Sequence, residues 1–216
     1  MGFESINYTK LDVKKIKDLI ANKKILENKT VVLARTKNPK TVYKISKLYE
    51  NPNFNLTRDE FLLKDLLEKQ QFVYKTEFPK GIVTCENRVV GQEIPFYKHY
   101  HDMERYFEMN AKEKLHIKKQ IIEIIKELYD NDIVYTDVHQ GNFLISPILS
   151  KVRLIDFDGY ITYVTKNKEE YLGRILLFMK QMFSYLDYTD KRILEYKSVN
   201  YHSFEKIEED FIKKLK

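Results

Sequence analysis

Three polar residues carry the chemistry that can be read in this sequence: Asp137, Asn142 and Asp156. The first two are five positions apart, and Asp156 follows Asn142 by fourteen. Between the last two lie apolar runs, Phe143-Leu144-Ile145 and Val152 to Ile155, joined by a connection containing Pro147 and Ser150. That pattern predicts a β-hairpin. A hairpin brings its ends together, so Asn142 and Asp156 should stand side by side. A carboxylate and a carboxamide both offer hard oxygen ligands, which suit Mg²⁺. Asp137, on the loop just before them, is placed to hold a hydroxyl nucleophile. Phosphoryl transfer needs this combination of a metal clamp and a carboxylate to orient the attacking oxygen. Taken singly, such residues are usually turn formers or helix caps. That plainer reading does not account for their joint spacing.

The stretch from Ile133 to Tyr160 resembles the catalytic core of the protein-kinase-like superfamily. The likeness rests on Asp137-x-x-x-x-Asn142 and on Asp156-Phe157 after the second strand. The spelling Asp-Val-His-Gln-Gly-Asn is closest to the atypical branches: aminoglycoside and choline kinase-like enzymes, and RIO and ABC1-like kinases. The resemblance implies that Asp137 orients or deprotonates the acceptor, that Asn142 and Asp156 hold Mg²⁺, and that ATP is the donor. Two positions depart from the family pattern. Tyr135 stands where most relatives carry a His that organises the backbone, and Asp158 stands where protein kinases have Gly. His139 reads as a packed loop histidine.

The elements that must position these groups follow from periodicity. Ile121, Ile122, Ile125, Leu128 and Tyr129 mark a helix over 111–130 that delivers the chain into the catalytic stretch. Further upstream, Thr30–Arg35 and Thr41–Ser46 read as a hairpin. Its second strand resembles the Val-Ala-Ile-Lys strand of kinases. By that resemblance Lys44 pairs with the phosphates, and Val42, on the same face, packs on the adenine. A helix is predicted from Thr57 to about Gln70, with Thr57 and Glu60 forming a capping box. Glu60 is also the acid expected to pair with Lys44, with Glu68 as the fallback. A second hairpin is predicted over Gly81–Cys85 and Arg88–Gln92, turning at Glu86-Asn87. In the kinase reading Gln92, Glu93 and Ile94 form the hinge that bonds the adenine edge through its backbone, and Pro95 ends the strand. Leu11–Ala21 fits either an amphipathic helix or a first strand. Another helical pattern covers 169–186, with no Ala-Pro-Glu triplet after Asp156.

Composition narrows the class. The net charge is +6, which favours anionic partners such as a nucleotide, but the lysines are spread along the chain. That spread argues for a solvated surface and against nucleic acid. One cysteine, Cys85, forbids an intrachain disulfide. No apolar run approaches the ~20 residues of a membrane span, and no signal-peptide core opens the chain. The cytoplasm is the expected compartment. No glycine occurs between residues 3 and 80, so the Gly-rich loop that lets backbone N–H groups approach phosphates is missing.

The expectation is an α+β, two-lobed protein-kinase-like fold. Residues 1–94 form a small antiparallel-sheet lobe and residues 95–216 a minimal, mostly helical one. The expected function is ATP- and Mg²⁺-dependent phosphoryl transfer to a hydroxyl of a protein or a small molecule. The alternatives are a pseudokinase that binds nucleotide or a partner and, more remotely, a metal-dependent hydrolase.

Overall fold

In the computed structural model of the chain, residues 7–135, 140–148, 151–157 and 161–162 are described. The expectations for Asp137, His139, Asp158 and the helix over 169–186 lie outside these residues. The chain divides into two units, Met1–Lys98 and His99–Lys216.

The first unit is built on a six-stranded sheet. Its strands are β1 (Asn7–Leu11), β2 (Lys24–Glu27), β3 (Val31–Arg35), β4 (Thr41–Ser46), β5 (Gly81–Cys85) and β6 (Arg88–Pro95). Their order in space is β1-β5-β6-β4-β3-β2. Only the β1–β5 pair is parallel. Both hairpins expected from sequence are present. The turn of the second has Glu86 and Asn87 at φ 50° and 63°, the backbone a two-residue primed turn requires.

Two helices cover the sheet, one on each face. Helix α1 (Val13–Lys23) settles the ambiguity at 11–21; Asp12 caps it by accepting from the Lys15 N–H at 2.7 Å. Its Ile16 is fully buried with Ile45, Val83, Cys85 and Val90. Helix α2 (Thr57–Lys69) supplies Leu63, which packs on Ile82 and Val89. Ile82 and Val83 are neighbours on one strand, so their side chains leave opposite faces. One face of the sheet therefore belongs to α1 and the other to α2.

The start of α2 differs from expectation. Its N-cap is Leu56, with no side-chain cap bond, so the predicted Thr57–Glu60 capping box is corrected. Strand β6 anchors this end instead. The Leu56 N–H donates to the Val89 carbonyl at 2.9 Å, and the Val89 N–H donates to Asn55 Oδ1 at 2.9 Å. Strand β6 also runs through Pro95, beyond its predicted end. Pro tolerates the last position because little pairing follows it.

The described part of the second unit centres on α3 (Ala111–Asp130). A capping box of Asn110 and Glu113 opens it, and Ile117, Ile121, Ile124, Ile125 and Leu128 form its buried stripe. After it come β7 (Ile133–Val134), β8 (Phe143–Ile145), β9 (Val152–Leu154) and β10 (Ile161–Thr162). Strands β8 and β9 pair antiparallel, as the spacing of Asn142 and Asp156 required. Gln120 of α3 holds this hairpin by accepting from the Val152 N–H at 2.8 Å. On its other side, Ile145 exchanges both backbone bonds with His101.

Gly91 sets how close β6 lies to β4. A Cβ on Gly91 would come within 2.2 Å of the Lys44 carbonyl oxygen and 3.0 Å of the Ile45 Cα. Both are backbone atoms of β4 and cannot swing aside. Gly91→Ala should therefore push β4 outward and cost about 1–3 kcal/mol, as overpacking does. In urea this appears as a lower midpoint at unchanged slope. A midpoint equal to wild type would show that β4 has room the structure denies it.

Candidate functional site

The second unit assembles the predicted metal ligands. The Ile155 N–H donates to the Asn142 carbonyl at 2.8 Å, which closes the hairpin and sets Asn142 next to the start of the Asp156 segment. Asn142 is buried, 3% exposed. Asp156 is half-buried and holds φ 66°. That is the left-handed region, which costs a non-glycine residue roughly 1–2 kcal/mol and which Asp tolerates better than most. Strain of this kind persists where the surroundings over-determine the backbone, and it gathers at functional sites.

The group that fixes this backbone is Tyr135. Its hydroxyl lies 3.0 Å from the Ile155 carbonyl and 2.9 Å from the Asp156 carbonyl, donating to them. The Asn142 Nδ2 donates to the same hydroxyl at 2.7 Å. The Tyr135 ring meets Phe157 edge-on, with centroids 5.4 Å apart, and both rings are buried. Tyr135 was legible in the sequence only as a departure from the family's His. In the structure one hydroxyl holds the backbone at Asp156 and the side-chain amide of Asn142.

In the first unit the predicted nucleotide residues sort by face. Tyr43 and Ile45 pack towards α1, so Val42 and Lys44 occupy the α2 face. Ile94 and Gln92 pair with them across β6 and β4 and share that face. Val42 is buried and Lys44 half-buried. Glu93 pairs with Tyr43 and takes the other face, where its carboxylate accepts from the Thr41 hydroxyl at 2.6 Å. Gln92 and Glu93 have strands on both sides, and the Glu93 carbonyl accepts from the Lys80 N–H at 2.7 Å. Their backbone is thus part of the sheet, which corrects the expectation of a three-residue hinge. Ile94 is the first of the three with no partner on β5.

Glu60 sits on α2 but is held elsewhere than expected. Its carboxylate accepts from the Tyr8 hydroxyl at 2.5 Å and pairs with Lys64 at 3.2 Å. The expected bond to Lys44 is not among the contacts described for Glu60. Glu68, the fallback, is exposed. The Tyr8 contact was missed because 7–11 is a short, polar strand. Its alternating Tyr8 and Lys10 were the available signal. The turn between β2 and β3, which precedes the lysine strand, is also closed on itself. Asn28 Oδ1 accepts from the N–H groups of Thr30 and Val31, both at 2.8 Å.

The Tyr8 hydroxyl bond, with Lys64 next, holds the Glu60 carboxyl below the ordinary carboxylate range, and the same bond raises the Tyr8 phenol. A depressed carboxyl pKa contributes stability above its unfolded value, and that contribution is lost as pH falls through the folded value. Tyr8→Phe should shift the Glu60 titration upward, read from its carboxyl ¹³C signal against pH. An unmoved midpoint would leave Lys64 as the sole cause.

Known proteins resemble the chain in fold and not in sequence. No protein-family model matches the chain, and no curated protein matches it in sequence. Solved structures do match, 1285 chains in all. One is the crystal structure of the BubR1 kinase domain, with 16% identity and a TM-score of 0.54 over 76% of this chain and 60% of that one. The chain thus spans about 60% of that domain's length. At this identity the likeness speaks for architecture alone: the chain has an α+β, two-lobed protein-kinase-like fold.

Proposed function

We propose that the chain is an ATP- and Mg²⁺-dependent phosphotransferase, an atypical kinase that moves the γ-phosphoryl group to a hydroxyl. The observation that carries this reading is the Tyr135 hydroxyl joining Asn142 to the backbone of a strained Asp156. A plain surface turn gives no reason to bury an amide, bury a phenol and hold a carboxylate at positive φ together.

The donor set fits the metal. Asn142 and Asp156 offer hard oxygens, and Mg²⁺ takes one or two protein ligands while phosphates and water fill the rest. Among the described residues no three His, Cys, Asp or Glu side chains cluster. When bound, Mg²⁺ would supply charge neutralisation at the phosphates. Lys44 is the proposed phosphate-pairing cation, Val42 the proposed adenine contact and Ile94 the proposed backbone contact. Asp137 is the proposed group that orients the acceptor hydroxyl. General-base help of that kind contributes roughly 10²–10⁴-fold. The acceptor is a protein Ser or Thr or, given the missing Ala-Pro-Glu segment, a small-molecule alcohol. The cytoplasm is the proposed compartment. Among the described residues no helix is long and apolar enough to cross a membrane.

A second reading has its own support. In a pseudokinase the same fold would bind nucleotide or a partner without turnover. Glu60 bonded to Tyr8 and the glycine-free turn closed by Asn28 favour it.

Melting temperature separates the two when measured with ATP alone, with ATP and Mg²⁺, and again on Asp156→Asn. Asn keeps a residue that tolerates positive φ but removes the charge. A ligand at 100 times its Kd adds about 2.7 kcal/mol. The proposal expects a Mg²⁺-dependent rise in wild type that Asp156→Asn loses, together with ATP turnover. A rise without turnover leaves the pseudokinase. No rise at millimolar nucleotide removes the metal-nucleotide site.

A further inference from the structure

A carboxamide presents an acceptor at one end and a donor at the other, and only the oxygen end can ligate a cation. The two ends have nearly the same shape, so something must choose between them. In this chain the choice follows from counting one proton. The Tyr135 hydroxyl carries a single hydrogen. Two carbonyl oxygens, Ile155 and Asp156, stand within 3.0 Å of it, and a carbonyl oxygen can only accept. The hydroxyl proton is directed at them. Whatever faces the hydroxyl from its other side must then donate. Asn142 lies there at 2.7 Å, so its donor end, Nδ2, is the one turned to Tyr135. Oδ1 is the end turned elsewhere.

We propose that Tyr135 is a positioning residue that selects the metal-binding face of Asn142, by spending its one proton on the Asp156 segment and its lone pair on Asn142 Nδ2. This rests on the reading of Asn142 and Asp156 as Mg²⁺ ligands and says what orients them. The hydroxyl couples the two ligands: the oxygen whose proton fixes the Asp156 backbone is the oxygen whose lone pair fixes the Asn142 amide. Burial strengthens the device. Tyr135 is 8% exposed and Asn142 3% exposed, so water competes poorly for these bonds, and a wrongly turned amide would oppose its oxygen to the phenol oxygen. An imidazole, the side chain that most relatives of the resembled family carry here, could not do the same work with one atom. Each ring nitrogen either donates or accepts, whereas a phenol oxygen does both. Tyr135 is therefore matched to Asn142 and is more than a bulky stand-in.

Tyr135→Phe removes the hydroxyl and keeps the ring against Phe157. The measurement is the Mg²⁺ concentration needed for half of the ATP-dependent melting shift, alongside the affinity for ATP in EDTA. Outer partners of metal ligands are worth 10–100-fold in metal affinity. The expected result is a Mg²⁺ requirement raised about 10–100-fold with metal-free ATP affinity unchanged. A merely structural hydroxyl would weaken both together or neither, and either outcome overturns the proposal. If wild type itself shows no Mg²⁺-dependent shift, the reading of the site falls and this inference with it. If wild type responds and the variant responds equally, this inference alone falls. Should the variant not fold, wild type decides the matter. Nuclear Overhauser contacts from the Asn142 side-chain NH₂ protons to the Tyr135 ring are expected, and their absence would place the oxygen end against the phenol and refute the selection.

Discussion

A phenol oxygen can give one hydrogen bond and receive another at the same atom. The geometry around Asn142 and Asp156 depends on that property at Tyr135. Its hydroxyl gathers the carbonyls of Ile155 and Asp156 and the amide of Asn142. Remove it and the buried amide loses an acceptor, two carbonyls lose a donor, and Asp156 loses a restraint on a backbone it would otherwise avoid. The β8–β9 hairpin brings Asn142 and Asp156 near one another, and α3 fixes the hairpin through Gln120. Proximity alone does not orient an amide or hold a residue at φ 66°. The hydroxyl does both.

The first unit solves a related problem with backbone rather than side chains. The proposed role of Lys44 requires a strand that cannot drift. Gly91 allows β6 to approach the Lys44 carbonyl more closely than any side chain would permit. Strands β3 and β6 flank β4, and Ile45 is buried on the α1 face. The lysine therefore sits on one of the central strands of the sheet. Helix α2 is anchored by different means. It lacks a side-chain cap and is joined to β6 through Leu56 and Asn55. Its Glu60 answers to Tyr8 on the edge strand β1. The element whose acid would be expected to join Lys44 thus starts from β6, without a side-chain cap bond at Leu56.

Much of this was legible in the sequence, for identifiable reasons. The hairpins at 31–46 and 81–95 and the helix at 111–130 were readable because periodicity and turn residues agreed. The pairing that brings Asn142 and Asp156 together followed from two short apolar runs and a proline. What was not legible depended on partners distant in the chain. Thr57 and Glu60 have the spelling of a capping box, but the Leu56 and Asn55 bonds to β6 decide where that helix begins. Gln92 and Glu93 looked like a hinge because Pro95 follows, yet β5 pairs with both and keeps them in the sheet. Tyr135 looked like a loss because family resemblance compares side-chain names. Its role appears only once the carbonyls of Ile155 and Asp156 are in place, and those arrive twenty residues later.

The central claim is that Asn142 and Asp156 together face a divalent cation carried with nucleotide. Mn²⁺ in place of Mg²⁺ tests it directly, because the paramagnetic ion broadens nearby nuclear resonances. With ATP present, substoichiometric Mn²⁺ should broaden the Asn142 side-chain amide and the backbone amides of Asp156 and Phe157 first. Broadening that begins elsewhere, or that spreads evenly over the acidic surface, would contradict the account.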